Sequence, residues 1–119
     1  MRVVLDHCVD RRLADSIKGH EVATAAQRSL DRLENGELLA AAAALGFEVL
    51  ITTDRNLRYQ QNLERLPVTV VELAATDTRL DSLLQLVPFL EAAFALVALW
   101  RFISVHSDGE METLSKRGA

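Results

Sequence analysis

The sequence predicts an α/β fold of three layers, in which helices cover both faces of a central parallel sheet of about five strands. Short runs of β-favouring residues alternate along the chain with helical segments, which is the order of βαβ units. The runs "RVVL", "VLIT" and "VTVVEL" are almost continuously apolar, as strands buried on both faces of a parallel sheet are. These two observations indicate one folded domain rather than several.

The first strand is predicted over residues 3–5 and the second over 20–25, with the sequence "HEVATA". Between them, Leu13 and Ile17 have the i, i+4 spacing of neighbours on one helix face. This spacing predicts a helix over 10–18. The segment therefore has the strand, helix, strand order of a first βαβ unit.

A second helix and two further strands are predicted in the middle of the chain. Asn35 is expected to cap an alanine-rich helix over 36–46, since asparagine is a preferred N-cap residue. The third strand is predicted over 48–52, a short helix over 55–66, and the fourth strand over 68–73. The alternation of strands and helices thus continues.

The last third of the domain is predicted to be helical and then to end in a strand. Apolar residues keep a helical period over 79–97, and Pro88 within it either opens a second helix or kinks a single one. The segment "WRFISV" is predicted as the fifth strand. We expect the domain to span 1–105 and a flexible tail to span 106–119.

Composition excludes some classes of protein. The net charge of −4 argues against binding nucleic acid over the whole surface, which needs many phosphate contacts. A local basic strip remains open, because arginines follow the acids that end two strands: Arg11 and Arg12 after one, Arg55 and Arg58 after the other. The alternative is that these arginines are ordinary solvated side chains on helix faces.

The chain is predicted to be a cytoplasmic protein without a membrane span. Its single cysteine, Cys8, cannot form an internal disulfide, and no leader-like segment opens the sequence. The most apolar stretch, residues 86–103, is interrupted by Pro88, Glu91 and Arg101. The uncharged run that remains is too short to cross a bilayer of about 30 Å.

Acidic residues end the first and third strands. Asp6 follows "RVVL" and Asp54 follows "VLITT", and ligands of open parallel sheets bind beyond the carboxyl ends of strands. Glu37, in the first turn of the alanine-rich helix, is a third acid that can face the same crevice. Three oxygen ligands without cysteine or histidine suit Mg²⁺ or Mn²⁺. Taken singly, Asp54 can instead cap the following helix, and Glu37 can complement the helix dipole.

The segments "VVLDHCVDRRLADSIKGHEVATA", "NGELL" and "VLITTDRNLRYQQNL" resemble a PIN-like domain. The resemblance covers residues 2–105 and is to small bacterial PIN-like proteins related to the toxin ribonucleases of toxin-antitoxin pairs. It implies a Mg²⁺- or Mn²⁺-dependent nuclease, with RNA as the favoured substrate and an antitoxin protein as a partner. It matches Asp6, Glu37 and Asp54 to the acids that bind metal and carry out catalysis in the family.

The resemblance suggests contacts to a single-stranded nucleic acid substrate at Asn56, Arg55 and Arg58. Arg11 is a candidate because it follows Asp6, and Tyr59 because its ring could stack on a base, although helix packing explains this tyrosine more simply. The sequence departs from the family at three positions, with His7 in place of a frequent glutamate, Asp10 in place of a frequent proline, and Asn56 where some relatives carry an acid. Fewer acids weaken the case for two bound metal ions.

Two further functions are consistent with the sequence. The chain can be a catalytically degenerate relative that acts as a protein-interaction module, with the apolar segment "LVPFLEAAFALVALW" over 86–100 as a homodimer or partner surface. It can also be a receiver-like phosphoacceptor, since Asp54 follows a third strand. The receiver alternative ranks last, because it requires a lysine after the fifth strand and "WRFISV" is followed by none in the expected place.

Overall fold

The computed structural model describes residues 1–118 and contains one six-stranded sheet with the strand order β2-β1-β3-β4-β5-β6. The strands are β1 (Arg2–Leu5), β2 (Glu21–Thr24), β3 (Val49–Thr52), β4 (Thr69–Ala74), β5 (Trp100–His106) and β6 (Met111–Lys116). The first five strands pair in parallel, and β6 pairs with β5 in the antiparallel sense. The predicted parallel α/β sheet is therefore confirmed, with one strand added at its edge.

Helices connect the parallel strands. They are α1 (Asn35–Ala44), α2 (Leu57–Gln60), α3 (Leu80–Leu84) and α4 (Val87–Ala95), with 3₁₀ turns at Arg11–Ser16, Ala26–Arg28 and Leu63–Arg65. Pro88 lies in the first turn of α4, where its missing N–H costs nothing, so the two-helix alternative is correct. No helix within residues 1–118 is long and apolar enough to traverse a bilayer.

Two local predictions need correction. The helix expected over 10–18 is a shorter 3₁₀ helix, opened by Asp10, whose side chain accepts a hydrogen bond from Arg12 N. Asn35 is the first residue of α1 rather than its cap, and the cap position belongs to Glu34. The Asn35 side chain is used elsewhere, because its Nδ2 donates to Gln60 Oε1 at 2.6 Å and ties the start of α1 to α2.

Two apolar clusters hold helices against opposite faces of the sheet. On one face, Leu83 of α3 and Leu90 of α4 pack with sheet residues such as Ile51. On the other face, Leu38 of α1 and Leu57 of α2 belong to a second cluster of buried residues. Each strand alternates between the two clusters, because successive side chains of a strand point to opposite faces. The molecule thus has the three layers that the sequence predicts.

The C-terminal segment is not the flexible tail that we expected over 106–119. Residues Met111–Lys116 form β6, and Leu114 packs against the same cluster as α1 while Met111 packs against the other. The polar composition of this segment is explained by its position, since an edge strand has one side open to solvent. Residue 119 lies outside the described residues.

Gly109 shapes the turn between β5 and β6, and we expect Gly109→Ala to destabilise the protein. Its φ is +88°, and an added Cβ would lie 2.9 Å from a ring carbon of Phe89. Gly19→Ala is the matched control, because Gly19 has a φ of +82° but nothing within 4 Å of the added atom. Both changes incur about 1–2 kcal/mol of backbone strain, and the clash adds about 1–3 kcal/mol at Gly109 alone. Urea unfolding of both variants measures the difference, and equal losses would contradict the clash.

Candidate functional site

Two of the predicted acids follow the carboxyl ends of neighbouring parallel strands. The chain runs from β1 outward to β2 and then returns to add β3 on the other side of β1. Such a reversal opens a crevice at the carboxyl ends of the two strands, where open α/β sheets bind ligands. Asp6 directly follows β1, and Asp54 lies two residues after β3.

Asp6 is a buried carboxylate with a hydrogen bond on each oxygen. Only 3% of the residue is exposed. His7 N donates to Oδ1 at 2.7 Å, and the His7 ring Nδ1 lies 2.9 Å from the same oxygen. Thr52 Oγ1 donates to Oδ2 at 2.8 Å, and Cys8 Sγ approaches that oxygen at 3.5 Å. These contacts compensate for the desolvation of a buried acid and hold its orientation.

One hydroxyl group connects Asp6 to Asp54. Thr52 Oγ1 donates to Asp6 and accepts a hydrogen bond from Asp54 N at 3.0 Å. Asp54 Oδ1 accepts from Asn56 N at 2.9 Å and closes the turn before α2, but the cap position belongs to Asn56, so Asp54 does not cap the helix as the structural alternative predicted. Within residues 1–118, Asp54 Oδ2 has no hydrogen-bond or ion-pair partner. One oxygen of Asp54 therefore serves the fold, and the other is free to bind a ligand.

A cavity of about 400 Å³ opens beside Asp6 at the ends of β1 and β2. Its charged lining residues are Asp6, Asp10, Arg11 and Asp31, together with His7. Hydrogen bonds from Arg12 lower the pKa of Asp10 from 3.8 to about 2, so Asp10 stays ionised at neutral pH. The cavity thus presents several carboxylates beside Arg11, and Asp54 is not among its lining residues.

Glu37 is not joined to the other two acids in this arrangement. It lies in the first turn of α1 and is exposed. In the part of the chain that the structure describes, no three histidine, cysteine, aspartate or glutamate side chains are grouped so that they could hold a metal ion. A ready-made set of three ligands is therefore not present. The donor chemistry of Asp6 and Asp54 still fits Mg²⁺, which proteins often bind through one or two carboxylates plus substrate phosphates.

The predicted substrate contacts separate into exposed and buried groups. The Arg55 side chain is 55% exposed, Tyr59 is 81% exposed, and Asn56 is exposed as well. Arg58 differs, because its side chain is only 13% exposed and its guanidinium is held within the protein. We therefore assign Arg58 a role in stabilising the fold, in place of the expected contact with substrate. Its guanidinium lies over Phe102, with the guanidinium carbon 5.1 Å from the ring centroid.

Glu72, which the sequence reading missed, is the partner that holds Arg58. It lies on β4, is 0% exposed, and its Oε1 is 3.0 Å from Arg58 Nη2. Arg58 Nη1 reaches Glu112 on β6 at 2.7 Å, and Ser104 Oγ donates to Glu72 Oε1 at 2.7 Å. Burial alone lowers the pKa of Arg58, but its hydrogen bonds to Glu72 and Glu112 outweigh burial and raise the pKa above its ordinary value.

The sequence did contain a sign of this buried acid. Glu72 is the one charged residue in the apolar run "VTVVELA", and a charge inside a central strand requires a buried partner. In register, Glu72 lies beside Thr52 on β3 and Ser104 on β5, and Asp6 adjoins Thr52 from β1. Side chains in register share one face, so a row of polar groups crosses the sheet there.

The apolar segment 86–100 is largely explained by the protein core. Leu86, Leu90, Phe94 and Val97 are all buried in the cluster beneath α3 and α4. Leu99 is the large apolar residue of the segment that stays exposed, at 51%. The hydrophobicity that suggested an interaction surface is therefore needed for folding.

Comparisons of the chain with protein-family models, with curated proteins and with solved structures find no match.

Proposed function

We propose that this protein is a divalent-metal-dependent nuclease that hydrolyses phosphodiester bonds, with RNA as its substrate. One observation carries the proposal: Asp6 and Asp54 follow the two strands that flank the reversal in strand order, and the Thr52 hydroxyl bonds both the Asp6 carboxylate and the backbone N–H of Asp54. The resemblance of the residues around both acids to PIN-like ribonucleases supports the choice of reaction. The same resemblance suggests the toxin of a toxin-antitoxin pair.

Asp6 and Asp54 would hold Mg²⁺ or Mn²⁺ together with a substrate phosphate. The bound ion supplies a water of lowered pKa and neutralises charge on the phosphate. Asp6 is suited to this task because four contacts fix its carboxylate before any ligand arrives. Glu37 is exposed on the first turn of α1 and is not grouped with the two acids, so we assign it no role in holding the ion.

The substrate is held by groups beside the two acids. Arg55 directly follows Asp54, and its exposed guanidinium can donate two parallel hydrogen bonds to a phosphate. Asn56 and Arg11 offer further donors, and the exposed ring of Tyr59 offers a surface on which a base can stack. Single-stranded RNA fits these groups, because stacking requires an unpaired base.

Cleavage of labelled RNA and single-stranded DNA with Mn²⁺ tests the proposal, with wild type compared with Asp54→Asn. Asparagine keeps an oxygen for the hydrogen bond from Asn56 N but loses the charge that binds a cation, so we expect cleavage to fall by about 100-fold or more. Asp77→Asn, in the loop after β4, is the control and should cleave like wild type. Equal activity of Asp54→Asn and wild type would reject the site and indicate a contaminating nuclease.

The degenerate interaction module remains the second candidate. It predicts no cleavage of either substrate by wild type and no change in melting temperature with Mn²⁺. The same cleavage panel therefore separates the two functions.

A further inference from the structure

Arg55 is attached to the protein by one edge of its guanidinium. Its Nε lies 3.2 Å from Glu72 Oε1, although its side chain is 55% exposed and Glu72 is 0% exposed. Within residues 1–118, this is the one ion pair that Arg55 makes. The Nε edge thus faces the buried carboxylate as an ion pair without hydrogen-bond geometry, and the two terminal Nη groups have no ion-pair partner within residues 1–118.

The carboxylate that holds Arg55 is itself fixed. Glu72 lies on β4, which has β3 on one side and β5 on the other. Ser104 Oγ at 2.7 Å and Arg58 Nη2 at 3.0 Å contact the same Oε1 atom as Arg55. A charged group on a central strand, held by one partner on β5 and another on α2, is a suitable support for a binding residue.

We propose that Glu72 is a positioning residue for substrate: it orders Arg55 so that the free Nη groups of Arg55 meet an RNA phosphate beside Asp54. This inference rests on the proposed nuclease function. Ordering a long side chain before binding removes an entropic cost from the association and so strengthens binding by about three- to tenfold. Glu72 does not touch the substrate, since it is wholly buried.

The direction in which Glu72→Gln changes RNA affinity distinguishes a positioning role from a purely electrostatic one. Glu72→Gln removes one negative charge near the site, and a more positive protein binds RNA more tightly if charge alone matters. If Glu72 positions Arg55, the same change weakens binding, because Arg55 loses its ionic partner. The two explanations therefore predict opposite directions.

The first measurement is binding of a fluorescein-labelled single-stranded RNA of about 12 nucleotides, in EDTA so that no cleavage occurs. We expect Glu72→Gln to bind about three- to tenfold more weakly than wild type. Glu64→Gln is the matched control, because it changes the charge equally at a separate cavity shared with Arg101. In an Arg55→Ala background, Glu72→Gln should cause no further loss, since coupled residues are not additive.

The second measurement needs no RNA and keeps the two proposals distinguishable. In ¹⁵N NMR of arginine side chains, the Arg55 Nε–H should be ordered in wild type and mobile in Glu72→Gln. Unchanged order in the variant, or RNA binding that is unchanged or tighter, would overturn the positioning assignment. If wild type binds no RNA, the nuclease proposal fails, and the NMR result alone decides whether Glu72 orders Arg55.

Arg55→Lys provides a second variant in case Glu72→Gln does not fold. A lysine has a single ammonium group, so it cannot use one edge for Glu72 and another for phosphate. Arg55 is exposed, so this change leaves the buried cluster intact. We expect binding to weaken about tenfold, and wild-type affinity of the lysine variant would contradict the proposal.

Discussion

Glu72→Ala is expected to lower the free energy of unfolding by about 3 kcal/mol, because breaking a buried ion pair leaves an uncompensated charge. The side chain of Arg58 is only 13% exposed, and without Glu72 it keeps Glu112 as its one acidic partner. Ser104 Oγ would also lose its acceptor in a site with 0% exposure. The change removes a charge and several hydrogen bonds together.

Urea unfolding followed by circular dichroism measures this loss. Glu112→Ala is the matched control, because it removes the other partner of Arg58 at a side chain that is 47% exposed. Exposed ion pairs contribute about 0–1 kcal/mol, so we expect a much smaller loss there. A double replacement of Glu72 and Arg58 by methionine should recover most of the stability, since apolar groups can replace a buried pair. Equal losses for Glu72→Ala and Glu112→Ala would show that Glu72 is not the main support of Arg58.

Asp6→Asn is expected to reduce RNA cleavage by at least about 100-fold and to remove any stabilisation by Mn²⁺. An ion that binds the native state stabilises it by mass action, by about 2.7 kcal/mol at 100 times its dissociation constant. For a domain of this size, that stabilisation raises the melting temperature by roughly 10 °C. Asparagine at position 6 retains the shape of the side chain but not the charge that attracts the cation.

Thermal unfolding with and without Mn²⁺ tests this expectation without relying on activity. Asp81→Asn is a suitable control, because Asp81 is an exposed acid of α3, the helix on the opposite face of the sheet from α1. This control should keep the full Mn²⁺ shift. The metal assignment would be refuted if Mn²⁺ raised the melting temperature of Asp6→Asn as much as that of wild type. Absence of any shift in wild type would favour the interaction module.

Local sequence was sufficient to predict most of the sheet. The runs around Val4, Leu50 and Val70 are apolar on both sides of the strand, and that pattern arises only when helices cover both faces. Pro88 also marked the start of α4 correctly, because proline restricts the backbone of its own position. These features depend on residues that are close together in the sequence, so composition and spacing are sufficient to predict them.

The candidate site was predictable in part. Asp6 and Asp54 could be recognised because each lies within two residues of a strand end, and the carboxyl ends of parallel strands share an edge. Glu37 has no such constraint, since a helix start can be rotated or displaced relative to the sheet. The structure leaves Glu37 exposed and does not group it with the other two acids.

The sequence by itself determined the alternation of strands and helices and the acids that end β1 and β3, because these depend on residues close together in the chain. Only the tertiary structure decided that Arg58 turns inward to Glu72 and that Met111–Lys116 joins the sheet as β6. Both outcomes depend on which strands become neighbours. A buried charge is stable only beside its partner, and an edge strand forms only against an open edge. Local pattern therefore could not predict which residue pairs with Glu72 or that Met111–Lys116 pairs with β5.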